Sequence, residues 1–227
     1  MLGCYFDVVT LFLKSREQSL GRIYCARYDR SRLIVNNKMH MQIESGWLTD
    51  VERQPSPHFD ERETLEAISL LVIHNISLPP GKFGGSYITD LFLGQLNKEA
   101  DPFFEHIYQL RVSAHCLIRR DGHVVQYVAF DKRAWHAGVS NFQGREKCND
   151  FSIGIELEGT DDIPYTGEQY QKLSEITALI QRHYPSIDNN IVGHCDIAPG
   201  RKSDPGPSFD WKRYRQAINE CSVKEQG

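Results

Sequence analysis

No apolar run in this 227-residue chain approaches the roughly 20 residues that a membrane-spanning helix needs, so a transmembrane anchor is not its organising feature. The opening Met1–Leu13 is apolar, but Asp7 interrupts it, no basic residue precedes it and no small-residue cleavage pattern follows. It therefore does not read as a signal peptide. Paired cysteine spacing is missing too. The six cysteines, at 4, 25, 116, 148, 195 and 221, lie far apart in a chain large enough to need no staples, which points to reduced thiols and a cytoplasmic setting. There is no excess of basic residues: 26 Lys/Arg against 30 Asp/Glu leave a formal charge of −4, giving no reason to expect a nucleic-acid partner. Internal repeats and low-complexity tracts are absent as well, and nothing implies a membrane or an obligate protein partner.

With 40% hydrophobic and 25% charged residues, the chain is long enough to bury one substantial core or two small ones. Its charge is uneven. Residues 1–40 hold seven Lys/Arg against three Asp/Glu, or +4, which leaves 19 against 27, or −8, for the rest. The segment 1–40 reads as an N-terminal extension, either disordered or lying upstream of a true start at Met39 or Met41. Residues 41–220 then form one domain, and 221–227 a C-terminal tail.

Within that domain, the polar 46–66 stretch with Pro55 and Pro57 reads as surface loop. Ser69–Ile76 is an apolar run of strand length carrying His74 near its end. Short helices are predicted over 88–96 and 102–110, the second with Asp101 as N-cap and Pro102 at its first position. Strands over 114–119 and 123–130 flank Asp121-Gly122, a hairpin turn signal. A long loop over 134–150 follows. Phe151–Glu158 alternates, with Phe151, Ile153, Ile155 and Leu157 on one side and Ser152, Gly154, Glu156 and Glu158 on the other. Thr166 caps a predicted helix from Gly167 to about Tyr184, Asn190–Gly193 is a short strand, and 210–220 closes the chain as a helix. Strands linked by helices, together with a hairpin, predict an α/β fold: a single domain with a central mixed β-sheet flanked by helices.

The densest chemistry lies in Val192–Pro207. Pro199, Pro205 and Pro207 restrict the backbone, so the stretch reads as a non-helical loop, and spacing by two puts Lys202 beside Asp204. Imidazole nitrogen and carboxylate oxygen suit zinc, whose catalytic sites keep three protein ligands and one open position. His194 and Asp204 supply two such groups, and His74, ending the most apolar strand, is the best third. Taken alone, a histidine closing a buried strand is more often a hydrogen-bonded core residue than a ligand. Glu156 alone is a carboxylate on a strand's polar face, with Glu158 as its rival.

The segments Leu71–Ser77, Ser113–Gly122, Ala134–Gly138, Ser152–Gly159 and Gly193–Gly206 together resemble the zinc-dependent N-acetylmuramoyl-L-alanine amidases, which are related to the peptidoglycan-recognition proteins. The likeness is in particular to cytoplasmic amidases of the AmpD type, which act on anhydromuropeptides in cell-wall recycling. It spans Met41 to about Ile218 and has no counterpart in residues 1–40. The resemblance implies Zn2+ held by His74, His194 and Asp204, with Glu156 as the catalytic acid and base and Lys202 stabilising the transition state. It implies a muropeptide substrate, cut between the lactyl group of muramic acid and L-alanine. Arg111, with Arg145 or Lys147, matches the stem-peptide carboxylates in chemistry. Asn75, Trp135 and His136 resemble groove-lining positions, while His115 reads as structural. Two rivals remain: a recognition protein that binds wall polymer without cutting it, and a Cys–His hydrolase built on Cys195 or Cys116.

Overall fold

The computed structural model describes residues 41–62 and 68–224. Expectations for 1–40 and for the end of the tail therefore fall outside the described residues. Two seven-residue runs pair in parallel at the centre of a six-stranded sheet. In chain order the strands are Glu52–Arg53 (β1), Leu70–Ile76 (β2), Cys116–Ile118 (β3), Val124–Gln126 (β4), Ser152–Glu158 (β5) and Ile191–Gly193 (β6). Their spatial order is β6-β2-β5-β3-β4-β1. The first four in that order run parallel, and β3 turns antiparallel into β4 through the Asp121-Gly122 hairpin. The mixed sheet is thus observed.

Register decides which side chains share a face. Pairing of Leu71 with Ile153 and of Ile73 with Ile155 places these apolar groups on one side. There they pack with Leu173, Ile176 and Ile180 of helix Gly167–His183, and with Tyr214 and Ile218 of the closing helix. The long helix starts where the sequence indicates: Thr166 Oγ1 accepts from Gln169 N at 3.1 Å, and Gln169 Oε1 accepts from Thr166 N at 3.1 Å. Pairing of Ser152 with Leu70, Gly154 with Val72 and Glu156 with His74 places those groups on the opposite face. The 133–151 segment covers part of that face, where Leu70 and Val72 pack with Ala137, Cys148, Phe151 and Ile197.

Several expectations change. The 46–66 stretch is not all loop: β1 pairs in parallel with β4 and makes an edge of the main sheet. The helix predicted over 88–96 is the six-residue Tyr87–Phe92 (α1). At 102–110 the Asp101 cap is present, its carboxylate accepting from Phe103 N at 2.9 Å, but the segment is a 3₁₀ turn over Pro102–His106. With Gly167–His183 as α2, the stretch after β6 is not wholly irregular either. His194–Ile197 forms one helical turn (α3), because the prolines come later and Asp196 accepts from Gly193 N at 2.7 Å. The closing helix, Trp211–Lys224 (α4), continues beyond residue 220.

Candidate metal centre and active site

Strands β2, β5 and β6 run parallel, so their C-terminal ends gather at one edge of the sheet, where open α/β sheets commonly bind ligands. His74 lies near the end of β2, and His194 follows β6 directly. Asp204 is brought back to them by a close approach of backbone. A Cβ on Gly193 would meet Pro205 Cδ at 2.7 Å and Asp204 O at 3.3 Å, so only glycine lets the returning loop press against the strand end. Asn75 Nδ2 and the Tyr165 hydroxyl both donate to the Pro205 carbonyl, at 3.1 and 2.8 Å, and tie the loop down.

The result is a triangle of donor atoms. His74 Nδ1 is 3.0 Å from His194 Nδ1 and 3.2 Å from Asp204 Oδ2, and His194 Nδ1 is 3.1 Å from that oxygen. Among the described residues this is the His/Cys/Asp/Glu cluster that could hold a metal ion. His194 Nε2 lies 3.1 Å from the Ala137 carbonyl, which can only accept, so that nitrogen carries the proton and Nδ1 presents a lone pair. Two lone pairs facing each other at such range call for a cation. A tetrahedral ion with bonds of about 2.0–2.1 Å spaces its ligand atoms about 3.3 Å apart, so the donor set fits zinc. Burial lowers the His74 pKa to about 4, keeping the ring neutral and able to ligate. Burial by itself would raise the Asp204 carboxyl, but its two imidazole partners outweigh that and hold it well below the usual range.

Glu156 pairs with His74 across the parallel strands and is 9% exposed. Its Oε2 is buried and has no hydrogen-bond partner. Burial pushes its pKa well above the ordinary value, the Asp204 charge adds to this, and the Lys202 ammonium opposes it. Glu158 differs, since both its oxygens are taken: Oε1 accepts from Gly84 N at 2.6 Å and Oε2 from Arg120 N at 3.1 Å. Glu158 therefore clamps two loops, whereas Glu156 has an oxygen that no such bond uses. Neither thiol is suited to attack. Cys116 is fully buried, and burial raises the pKa of both Cys116 and Cys195.

The chain matches the N-acetylmuramoyl-L-alanine amidase family model over residues 64–207. The chain belongs to that family. It is 62% identical over 185 residues to the 1,6-anhydro-N-acetylmuramyl-L-alanine amidase AmpD of Citrobacter freundii, covering 82% of this chain and 99% of that protein. A crystal structure of a selenomethionine AmpD derivative superposes with a TM-score of 0.77 at 62% identity, covering 78% of this chain and 99% of the other. AmpDh3 of Pseudomonas aeruginosa, solved in complex with an anhydromuramic pentapeptide, is 30% identical, with a TM-score of 0.53 and coverage of 68% and 62%. The amidase is thus a hydrolase of the amide between N-acetylmuramic acid and L-alanine.

Around this centre the remaining candidates are dispersed. Lys202 is exposed on the rim, near enough for its charge to lower the pKa of both Glu156 and His74. Asn75 spends its amide on Asp161 Oδ1 and the Pro205 carbonyl, so it holds the site's loop. Trp135 turns toward other partners: its Nε1 donates to Asp60 at 3.2 Å, and the exposed Arg111 lies 5.2 Å from its ring. Arg145 stacks 3.7 Å from the centre of the Phe151 ring, and Lys147 is exposed on the same loop with φ +58. His136 has both ring nitrogens engaged, Nδ1 with His74 Nε2 at 2.9 Å and Nε2 with Ser152 Oγ at 3.2 Å, which leaves neither for a substrate in the groove. His115 is structural: its Nδ1 accepts from Gly154 N at 3.0 Å. Sequence reasoning missed Tyr165 and Arg201. The Arg201 guanidinium donates to the carbonyls of Ala137 and Val139, each at 2.6 Å.

Proposed function

We propose that this amidase works with zinc held by His74, His194 and Asp204, that Glu156 moves the proton, and that Lys202 supplies positive charge at the carbonyl oxygen. The observation that carries this is the triangle of Nδ1, Nδ1 and Oδ2 atoms at 3.0–3.2 Å, with a buried, unpartnered carboxylate oxygen on the adjacent strand. Zinc bound in such a site is a Lewis acid that brings the pKa of water down to about 7. Glu156 Oε2 would accept the proton of the attacking water and return it to the departing L-alanine nitrogen, which needs it to leave as an amine. Its raised pKa suits this shuttle, because the group must both take and give the proton. Lys202, exposed on the rim, would face the negative charge developing on the lactyl carbonyl oxygen.

Arg111, Trp135 and Lys147 lie outside the triangle, where carboxylates of a stem peptide would extend, and we assign them to substrate contact; Arg145 shares the loop. The substrate is a muropeptide, with anhydromuramyl compounds favoured by the AmpD likeness. We place the catalytic unit in residues 41–220 together with the remainder of α4, which runs to Lys224, and take 1–40 as an extension. We read the setting as cytoplasmic, in keeping with Cys116, Cys148 and Cys195, none of which forms a disulfide. The test follows free-peptide release from anhydromuropeptide and from intact peptidoglycan. Release should stop on chelation and return with Zn2+. Full activity in chelator would remove zinc from the mechanism, and binding of muropeptide without release would make the protein a recognition module.

A further inference from the structure

The two imidazole ligands are oriented by adjacent residues of one short segment. His194 points its Nε2 at the backbone carbonyl of Ala137, while His74 points its Nε2 at the side chain of His136. The segment is itself fixed, because Asn149 Oδ1 accepts from the backbone N–H of both His136 and Ala137, at 3.2 and 2.8 Å. These two arrangements differ in kind. A carbonyl can only accept, so the tautomer of His194 is settled by the backbone. An imidazole nitrogen can accept or donate, so the tautomer of His74 depends on what His136 does with its other nitrogen. That nitrogen meets Ser152 Oγ at 3.2 Å.

We propose that His136, seated on Gly154 and bonded to Ser152, is a positioning residue that accepts the Nε2 proton of His74 and so holds its ring in place for metal binding. The inference rests on the zinc reading above. For His74 Nδ1 to offer a lone pair, Nε2 must carry the proton and donate it to His136 Nδ1. His136 must then be protonated at Nε2 and donate to Ser152 Oγ. The relay therefore has one direction, set from the metal end. Glycine is required beneath it, since a Cβ on Gly154 would overlap the His136 ring. That is a physical reason for glycine inside a strand that would otherwise favour a larger residue. His136 also meets the His74 ring edge-on, with centroids 4.9 Å apart and 83° between planes.

The experiment compares zinc affinity, by chelator competition, in the wild type and in His136→Phe and His136→Asn, together with the imidazole nitrogen NMR spectrum of the zinc-loaded wild type. Phe fills the space above Gly154 without an acceptor, and Asn restores an oxygen near the Nδ1 position. Partners that orient a metal-bound histidine typically contribute about 10–100-fold in metal affinity. His136→Phe should lose that much and His136→Asn should recover most of it. The spectrum should show His74 and His136 both protonated at Nε2. Unchanged zinc affinity in a folded His136→Phe protein would overturn the inference, as would equal losses in both variants. Protonation of His136 at Nδ1 would overturn it without any variant. A wild type that binds no zinc would instead sink the metal reading itself.

Discussion

The two faces of the β2–β5 pair are made by alternate residues of the same strands, yet they are built on different physics. On one face Leu71, Ile73, Ile153, Ile155 and Leu157 bury apolar surface under α2 and α4, where shape and area suffice. On the other, His74, Ser152, Glu156 and Glu158 are buried too, and each polar group needs a partner. Glu158 is satisfied by two backbone amides and Ser152 by His136, while Glu156 Oε2 is left without one. A face that tolerates no idle polar atoms thus holds one beside the donor triangle. The difference separates groups whose polar atoms are spent holding the fold together from one, Glu156, whose oxygen is not.

The comparison is broken most severely at the polar face. Glu156→Gln should lower the rate of peptide release by about 10²–10⁴-fold, the range for positioned acid–base groups, with zinc content unchanged by metal analysis. Near-full activity would transfer the proton shuttle elsewhere. Ile155→Ala attacks the apolar face and should cost about 2–5 kcal/mol in chemical denaturation, with zinc affinity of the folded protein kept. A loss of zinc binding from that change would show that the two faces are not independent.

Acid sharpens the contrast. Burial pushes His115 down to about 3 and His74 to about 4. An unfolded chain takes up these protons near 6.5, so between that pH and about 4 the unfolded state binds more protons. Stability of the zinc-free protein should then fall as pH falls through this window, by about 1.4 kcal/mol per pH unit for each ring. Denaturation midpoints from pH 7.5 to 4.5 measure it, and a flat profile would contradict buried neutral imidazoles. Ile155→Ala should lower that curve without altering its slope. Smallest is Thr166→Ala, which removes the N-terminal cap of α2 without touching the donor triangle and should cost about 1 kcal/mol in thermal unfolding with activity intact.

Much of the architecture could be read from local pattern. The Thr166 cap, the Asp121-Gly122 hairpin and the β2 and β5 runs depend on residues near one another in the chain. Local pattern failed where pairing is distant. Glu52–Arg53 is a strand only because β4 offers it a free edge, and α3 is helical only because Asp196 caps it before the prolines begin. The same division runs through the site. His74, His194, Asp204, Glu156 and Lys202 could be named from motifs, with Glu156 taken over Glu158 on resemblance alone; what no pattern in the sequence carried is that Glu158 spends both oxygens on backbone amides while Glu156 Oε2 has no partner.

The order of residues by itself determined the strand and helix periods, the histidines at strand ends and the carboxylates of β5, because these follow from neighbours a few positions apart. Only the tertiary structure decided that donors 120 and 130 residues apart meet within 3.2 Å, and that His136 Nδ1 lies against His74 Nε2 on the side away from them. The reason is that hydrogen-bond satisfaction in a buried site is settled by which groups face each other across strands, and alternation along one strand carries no information about its partner.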